Sequence, residues 1–400
     1  MCWACSATGS GPWPWLWPRA AIAAAVGPLF GGFITTYLSW RIAFLLEDVI
    51  IVVVLSGIRL VNDVEYTGSR RVDVVGAVLS VLGMGGIVLG ILVWQEGGEA
   101  VGLLLALGAV SLGSLAWWLV RRKRAGKATL LDPDLFKAKL FRFGVSGQVL
   151  QQIGLGGTMI ALPIYLQIVL EYSAMGAGLS IAPLSLSMFA VALVAGKRAG
   201  KRHPASLIRA GFALFTLGIV AVEPIVPRAT SGWYLVVPLM IAGSGLGLLV
   251  SQLNNLTLAP ISEERVSEAA GVNSAGGSFG LSFGLAFAGA ILLAALSIGF
   301  TSMAHSSTVL SGAEQQQVAK VLEHDAQVVS NTQLEKQLAG QPQKTQDEII
   351  RINTQARHVA LQVALLIPIL AGLAGLIISF RMVRLPDPQQ SGSGEQVVLG

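Results

Sequence analysis

The sequence predicts an all-α polytopic membrane protein, a helical bundle with about ten transmembrane helices. Three observations carry that reading. Of 400 residues, 53% are hydrophobic and only 12% are charged, where a soluble domain carries about a quarter charged residues. Ten apolar stretches of about 19 to 30 residues follow one another, each long enough to cross the hydrocarbon core of a bilayer. The Lys and Arg residues sort to alternate sides of those stretches.

The first span, about 20–38, contains Gly27-Pro28-Leu29-Phe30-Gly31-Gly32, in which four of six residues are Gly or Pro. An isolated soluble helix tolerates such a stretch poorly. In a membrane a neighbouring helix can satisfy the backbone groups it disturbs. Gly27 and Gly31 lie four apart on one face, where a second backbone can approach, and Pro28 bends the helix there. On physics alone this is a small-residue packing seam.

The second span, about 42–61, begins with Glu47 and Asp48. Ionisable groups at membrane depth are costly and are candidates for function. These two either exchange protons or, for Glu47, pair with Arg41 at the interface. Spans three and four, about 74–94 and 101–120, end in the basic run Arg121, Arg122, Lys123 and Arg124. The fifth span, about 143–169, carries Gln148, Gln151 and Gln152 together, with Gln167 further out and Glu171 just past its end. Amides of this kind line a substrate path or hydrogen-bond between helices. Both readings stand for Gln148 and Gln152.

Spans six and seven cover about 174–194 and 206–226, and Glu223 near the end of the latter is a third proton candidate. In span eight, about 233–251, Gly243, Gly245 and Gly247 loosely resemble a dinucleotide loop. They lie mid-membrane with no strand before them, which excludes that reading. Asn254 and Asn255 follow and are read as structural. In span nine, about 269–298, Gly276, Gly280 and Gly284 recur at four-residue steps with serines between, a seam for close helix packing. The segment 299–357 is polar. Val318, Val321, Leu322 and Val329 recur there at helical spacing. They predict either an amphipathic helix over the outer face or a solvated loop. Span ten covers about 358–380.

With the N-terminus inside, 20 of the 27 Lys and Arg residues fall on inner segments. This places the chain in the cell membrane with both termini in the cytoplasm. The net charge of +5 is therefore a topology signal and not a nucleic-acid one. No nucleophile–base–acid set, metal-ligand cluster or Walker-type phosphate loop occurs, so an enzyme and a bound cofactor are not expected. The pair Cys2 and Cys5 stands alone, and one C-x-x-C without a second cluster is a weak zinc or redox signal. All four histidines fall in loops or at a span edge.

Gly27-Pro28-x-x-Gly31-Gly32 is followed by Ser39-Trp40-Arg41-x-x-Phe44. Further on come Leu130-Leu131-Asp132-Pro133-x-Leu135-Phe136, Tyr165-Leu166-Gln167 with Ala177-Gly178, and Glu264-Arg265 with Ala270-Gly271. In order and spacing these resemble the fourteen-helix drug/proton antiporters of the major facilitator superfamily, of the EmrB/QacA type, over about residues 20–388. The resemblance implies that Gly27, Pro28, Gly31 and Gly32 are the antiporter motif. It implies two helices from the end of an N-terminal bundle at 20–61, after an unmatched segment 1–19. Two extra central helices with basic loops follow at 62–142, then a six-helix C-terminal bundle at 143–385 and a tail at 386–400. The implied function is proton-coupled export of hydrophobic or amphipathic small molecules, with the substrate, protons and the bilayer as partners. Departures from the family pattern are Ala23 and Pro14 where it has further glycines, Glu171 where a Gly is usual, and ten helices instead of fourteen. The missing ones look like the first four, so the reading frame is expected to be truncated or misassigned. Two other classes remain: a non-transporting remnant, and a membrane sensor or assembly partner that uses the segment 299–357.

Overall fold

A computed structural model describes residues 30–57, 73–127, 129–197, 203–312, 315–316 and 331–385. Gly27, Pro28, Cys2, Cys5 and the helix expected around Val318 to Val329 lie outside the described residues. Every regular element among them is a helix. Helix α1 covers 30–37. It is followed by α2 (Trp40–Ser56), α3 (Val74–Gln95), α4 (Val101–Arg124), α5 (Lys139–Ile164) and α6 (Ala174–Lys197). Then come α7 (Pro204–Val222), α8 (Val236–Leu258), α9 (Val266–Ser306), the short α10 (Asn331–Gln337) and α11 (Gln343–Val383). Eight of these, α3 to α9 and α11, are long and apolar enough to cross a membrane. Most of the first expected span falls outside the described residues, and α2 is described over 17 residues, none of them buried.

Two boundaries differ from the hydropathy reading. Helices α9 and α11 are each 41 residues long, about 60 Å at 1.5 Å per residue, roughly twice the hydrocarbon thickness. Hydropathy sees only the lipid-depth part. The polar extension of α11 stays helical because one stripe of it (Ile349, Ile352, Asn353, Ala356) is buried in the bundle. The segment 299–357, read from hydropathy as polar throughout, is therefore two helix ends and a connection that contains α10.

Glycine sets the distances between helices. A Cβ built on Gly280 would lie 2.6 Å from the Val149 carbonyl oxygen, and one on Gly284 would lie 2.5 Å from that of Ile153. In return, one on Gly156 would lie 2.6 Å from the Leu281 carbonyl. Helices α5 and α9 thus cross backbone against backbone, running in the same direction. Helix α8 uses glycine on two faces. Gly243 and Gly247 admit the α6 carbonyls of Leu184 and Met188, and Gly245 admits the α7 backbone at Gly211 and Phe215. The three glycines excluded as a dinucleotide loop are therefore packing positions. Helix α11 closes the group, with Pro368 against Gly157 of α5 and Gly372 against Thr216 of α7. One apolar core runs through α5 to α9 and α11, with Phe212, Phe215, Phe300 and Tyr165 among its largest members.

Helices α3 and α4 form a hairpin around Gly86 and Gly108. The hairpin docks through α3, whose Ile87, Val88 and Ile91 pack on Phe283, Ala286, Phe287 and Ala290 of α9. The Gln95 side-chain amide donates to the Ala286 carbonyl.

The seam has a graded test. Leucine at Gly280 or Gly284 meets backbone that cannot give way, and should cost at least about 1–3 kcal/mol. Alanine at Gly276 meets only Val149 and Val145 side chains, at 3.4 and 3.5 Å. Thermal unfolding of purified protein should therefore fall for Gly280→Leu and Gly284→Leu and stay near wild type for Gly276→Ala.

Candidate functional site

The bundle has a basic end and an opposite end. The basic end gathers the close of α4, the starts of α5, α7 and α9, and the close of α11. Asp73 caps α3 there, accepting from Gly76 N at 3.0 Å, Trp118 Nε1 at 3.1 Å and Leu130 N at 3.3 Å, with Arg122 at 3.6 Å. Burial alone would push its pKa up; the hydrogen bonds and Arg122 outweigh it and hold the carboxyl below its ordinary value. The sequence reading missed Asp73, although an Asp just before an apolar run is an N-cap signal.

Asp132, one of the residues that carry the family resemblance, joins three segments. It bonds Lys123 at the close of α4 and Arg265 at the start of α9, the latter at 2.8 Å, while its own N–H donates to Glu268 at 2.7 Å. Asp134 is held down to about 2 by hydrogen bonds from Lys123 and Lys137. This network ties the α3–α4 hairpin to α9 a second time.

Of the glycine motif, Gly31 and Gly32 are described, and they differ. A Cβ on Gly31 would meet nothing within 4 Å, while one on Gly32 would lie 2.9 Å from the Ala174 carbonyl oxygen and 3.1 Å from Met175 Cα. Thr36 Oγ1 accepts from Met175 N at 3.0 Å, and Ile34 is buried. The motif helix therefore meets the first turn of α6 through Gly32.

The proton candidates separate in the same way. Glu47 and Asp48 are exposed on α2. Glu223 follows the last residue of α7, is half-buried, and has its Oε1 shut from solvent without a hydrogen-bond partner among the described residues. Its backbone carbonyl accepts from Gln362 of α11 at 3.1 Å. Three residues on, the Val226 carbonyl accepts from Tyr165 at 2.9 Å. The His358 ring lies 6.1 Å from the Tyr165 ring and is half-buried.

The amides gather best. Gln148 and Gln152 of α5 lie over Gly277 of α9, where a built Cβ would sit 3.3 Å from Gln148 Nε2 and 3.7 Å from Gln152 Cγ. Asn273, one turn nearer the basic end, donates to Asn254 of α8 at 2.9 Å. Gln152 Oε1 and Asn273 Oδ1 are shut from solvent and accept no hydrogen bond among the described residues. Asn254 is exposed and opens the group to the surface. Gln151 also has an unpartnered oxygen, but it follows Gly147 by one turn, on the side of Leu253 and Met382. Gln167 is exposed near the opposite end and bonds Pro163 O at 3.3 Å, away from this group. Asn273 was missed by the sequence reading, and its signal was only an amide four residues before a glycine. Among the described residues no three His, Cys, Asp or Glu side chains gather as metal ligands.

At the opposite end, Glu171 stands at φ +54°, where a non-glycine residue is strained. Its carboxylate accepts from Thr332 N at 2.8 Å and from Thr332 Oγ1, and so holds the start of α10. Asn353 bridges Asn331 at 2.8 Å and Arg357 at 3.0 Å. Arg357, counted by hydropathy with the outer segment, is only 5% exposed and lies 6.0 Å from the Phe300 ring.

A family model described as Major Facilitator Superfamily matches residues 20–285. The "Probable actinorhodin transporter" of Streptomyces coelicolor is 26% identical over 269 residues, covering 64% of this chain and 46% of that protein. The "Putative multidrug resistance protein MdtD" of Yersinia pestis (strain Pestoides F) is 29% identical over 258 residues, covering 62% of this chain and 52% of that protein. The chain spans about half the length of the curated relatives it matches.

The Glu171 contact has its own test. Glu171→Gly removes both the backbone strain and the hold on α10, two effects of opposite sign. The melting temperature should move by less than about 3 °C. Amide exchange over 331–338 should speed up roughly tenfold as local protection is lost. Unchanged exchange would remove the contact from the account.

Proposed function

The chain belongs to the Major Facilitator Superfamily, and we propose that it exports hydrophobic or amphipathic small molecules across the cell membrane in exchange for protons. The observation that carries this reading is the amide group of Gln148, Gln152, Asn254 and Asn273. Gln148 and Gln152 of α5 lie over Gly277 of α9, and one turn nearer the basic end Asn273 pairs with Asn254 of α8, all uncharged polar side chains in an otherwise apolar bundle. Such a group binds and releases; it holds no nucleophile and no general base. The names of two relatives, a transporter and a multidrug resistance protein, support the same direction.

In this reading the basic end faces the cytoplasm. Helices α5 to α9 and α11 are the C-terminal bundle, α3 and α4 the extra central pair, and α1 and α2 the end of the N-terminal bundle. The substrate reaches Gln148 and Gln152 from one side and leaves on the other by alternating access, with Gln167 on the far part of the path. The glycine motif is the tight contact that limits leak between the bundles, and Gly32 is its packed member. Glu223 is the favoured proton site, because of the three acidic candidates it is the one placed where helices meet, with an oxygen shut from solvent and without a partner among the described residues.

A second reading has one observation behind it. No residue of α2 is buried, so the chain could instead serve as a non-transporting partner of other membrane helices. Dye efflux separates the two. Cells expressing the chain should accumulate less of an amphipathic dye than control cells, and a proton uncoupler should erase the difference. Equal accumulation in both would overturn the transport reading.

Two substitutions refine it. Gly32→Leu should abolish efflux at a normal membrane level, since its side chain meets the α6 backbone, whereas Gly31→Ala meets open space. Glu223→Gln should keep dye exchange down a dye gradient and lose transport driven by a pH gradient. Wild-type pH-driven transport in Glu223→Gln would move the proton role elsewhere.

A further inference from the structure

We propose that the amide group selects ligands that present N–H or O–H donors, and discriminates against ligands whose donors are capped by alkyl groups. The proposal deepens the transport reading and rests on it for the group's role as a substrate site; the donor preference itself is a matter of binding.

Two acceptors carry the argument. Asn273 is 4% exposed and already spends its Nδ2 on Asn254, leaving Oδ1 enclosed without a donor among the described residues. Gln152 Oε1 is enclosed in the same way. An enclosed carbonyl without a donor has lost its water and gained nothing. Gln148 and Gln152 lie over Gly277, the position whose missing Cβ leaves room for them, and the Asn254–Asn273 pair joins α8 to α9 one turn nearer the basic end. A ligand donor that reaches either oxygen supplies the bond it lacks. Each amide can also rotate to offer an N–H, so a carbonyl on the ligand is not rejected.

Charge does not compete with this preference. The charged groups nearest along the same helices are engaged elsewhere. Glu268 accepts from Asp132 N, Arg265 bonds Asp132, and Arg142 is exposed and lies over the Phe143 ring at 5.4 Å. A permanent cation without N–H groups finds no carboxylate at this level among the described residues and leaves both acceptors unsatisfied. The selected chemistry is therefore an apolar, preferably aromatic body bearing primary amine, amide or hydroxyl groups.

Proflavine and acridine orange test the idea, because they share one aromatic body and one charge and differ only in that the amines of the second are fully methylated. Equilibrium binding to the purified 400-residue chain, read by dye fluorescence, should favour proflavine by about tenfold, the size of one to two neutral hydrogen bonds. Gln152→Met, an apolar replacement of similar length, should shrink the preference for proflavine over acridine orange by lowering the affinity for proflavine more than that for acridine orange. Asn273→Leu should do the same, and a thermal unfolding scan of each variant identifies any that has lost its fold. Equal affinity of the two dyes for the wild-type chain would overturn the proposal and point to ordered water on the two oxygens. A preference of undiminished size in folded Gln152→Met and Asn273→Leu variants would also overturn it. Donor-selective binding without proton-driven efflux would uphold the selectivity and sink the transport reading instead.

Discussion

The contact of the α5 and α9 backbones is the constraint on which the rest of the molecule depends. Inside a bilayer, apolar side chains gain little by leaving lipid for protein, so helices associate through close packing. At Gly280, Gly284 and Gly156 each backbone lies where a Cβ of the other would sit. That closeness fixes the axis of α9, and two other features follow from it. On one face Gly277 admits the side chains of Gln148 and Gln152. On another, Phe283, Ala286, Phe287 and Ala290 form the surface on which α3 docks. A wider spacing would separate the amides and leave α3 a different surface.

Polar chemistry is arranged around this dry centre by location. At the basic end, where water is near, full charges hold segments together. Asp73 gathers three N–H donors, and Asp132 joins the close of α4 to the start of α9. At the opposite end, Glu171 and Asn353 hold α10 with one carboxylate and one amide. Between the ends, the polar groups at the candidate site are neutral amides. The gradient from charge at the ends to amide inside follows the cost of each group away from water. The α3–α4 hairpin is fixed at both levels, through Gln95 and Ala286 within the bundle and through Lys123 and Asp132 at its end. It is therefore held to α9 at two levels.

What could be read from the sequence was whatever depends on composition and period. Span positions follow from hydropathy, and the one-sided collection of Arg121 to Arg124, Arg265 and Arg381 follows from charge. The positions of Gly280 and Gly284 follow from a four-residue step. Contacts that depend on direction could not be read. Gly31 and Gly32 are adjacent and chemically identical, and only the orientation of α1 toward Ala174 distinguishes them. Asn273 looks like any helical Asn until Asn254 of another helix is placed beside it. Helices α9 and α11 outrun their apolar runs because a polar helix can be buried on one stripe, which a hydropathy window averages away. The departure at Glu171 was legible from the resemblance, but the left-handed backbone it marks and the hold on Thr332 were not.

The three acidic candidates show how placement bears on mechanism. A proton can drive a transporter only if its arrival changes the energy of one arrangement of helices relative to another. Glu47 and Asp48 stand on a helix that buries nothing, so no packed neighbour within the described residues responds to their charge. Glu223 stands at a junction. Its own residue receives Gln362 of α11, and three residues on, Val226 receives Tyr165 of α5. Tyr165 in turn opens the π turn Tyr165–Val169 that follows Pro163, an interruption of regular hydrogen bonding in α5. A change of charge at Glu223 would therefore be felt by α7, α11 and the irregular end of α5 together. Helix α5 also carries Gln148 and Gln152. A shift at its irregular end would physically connect a proton at Glu223 to the amides that would hold a substrate.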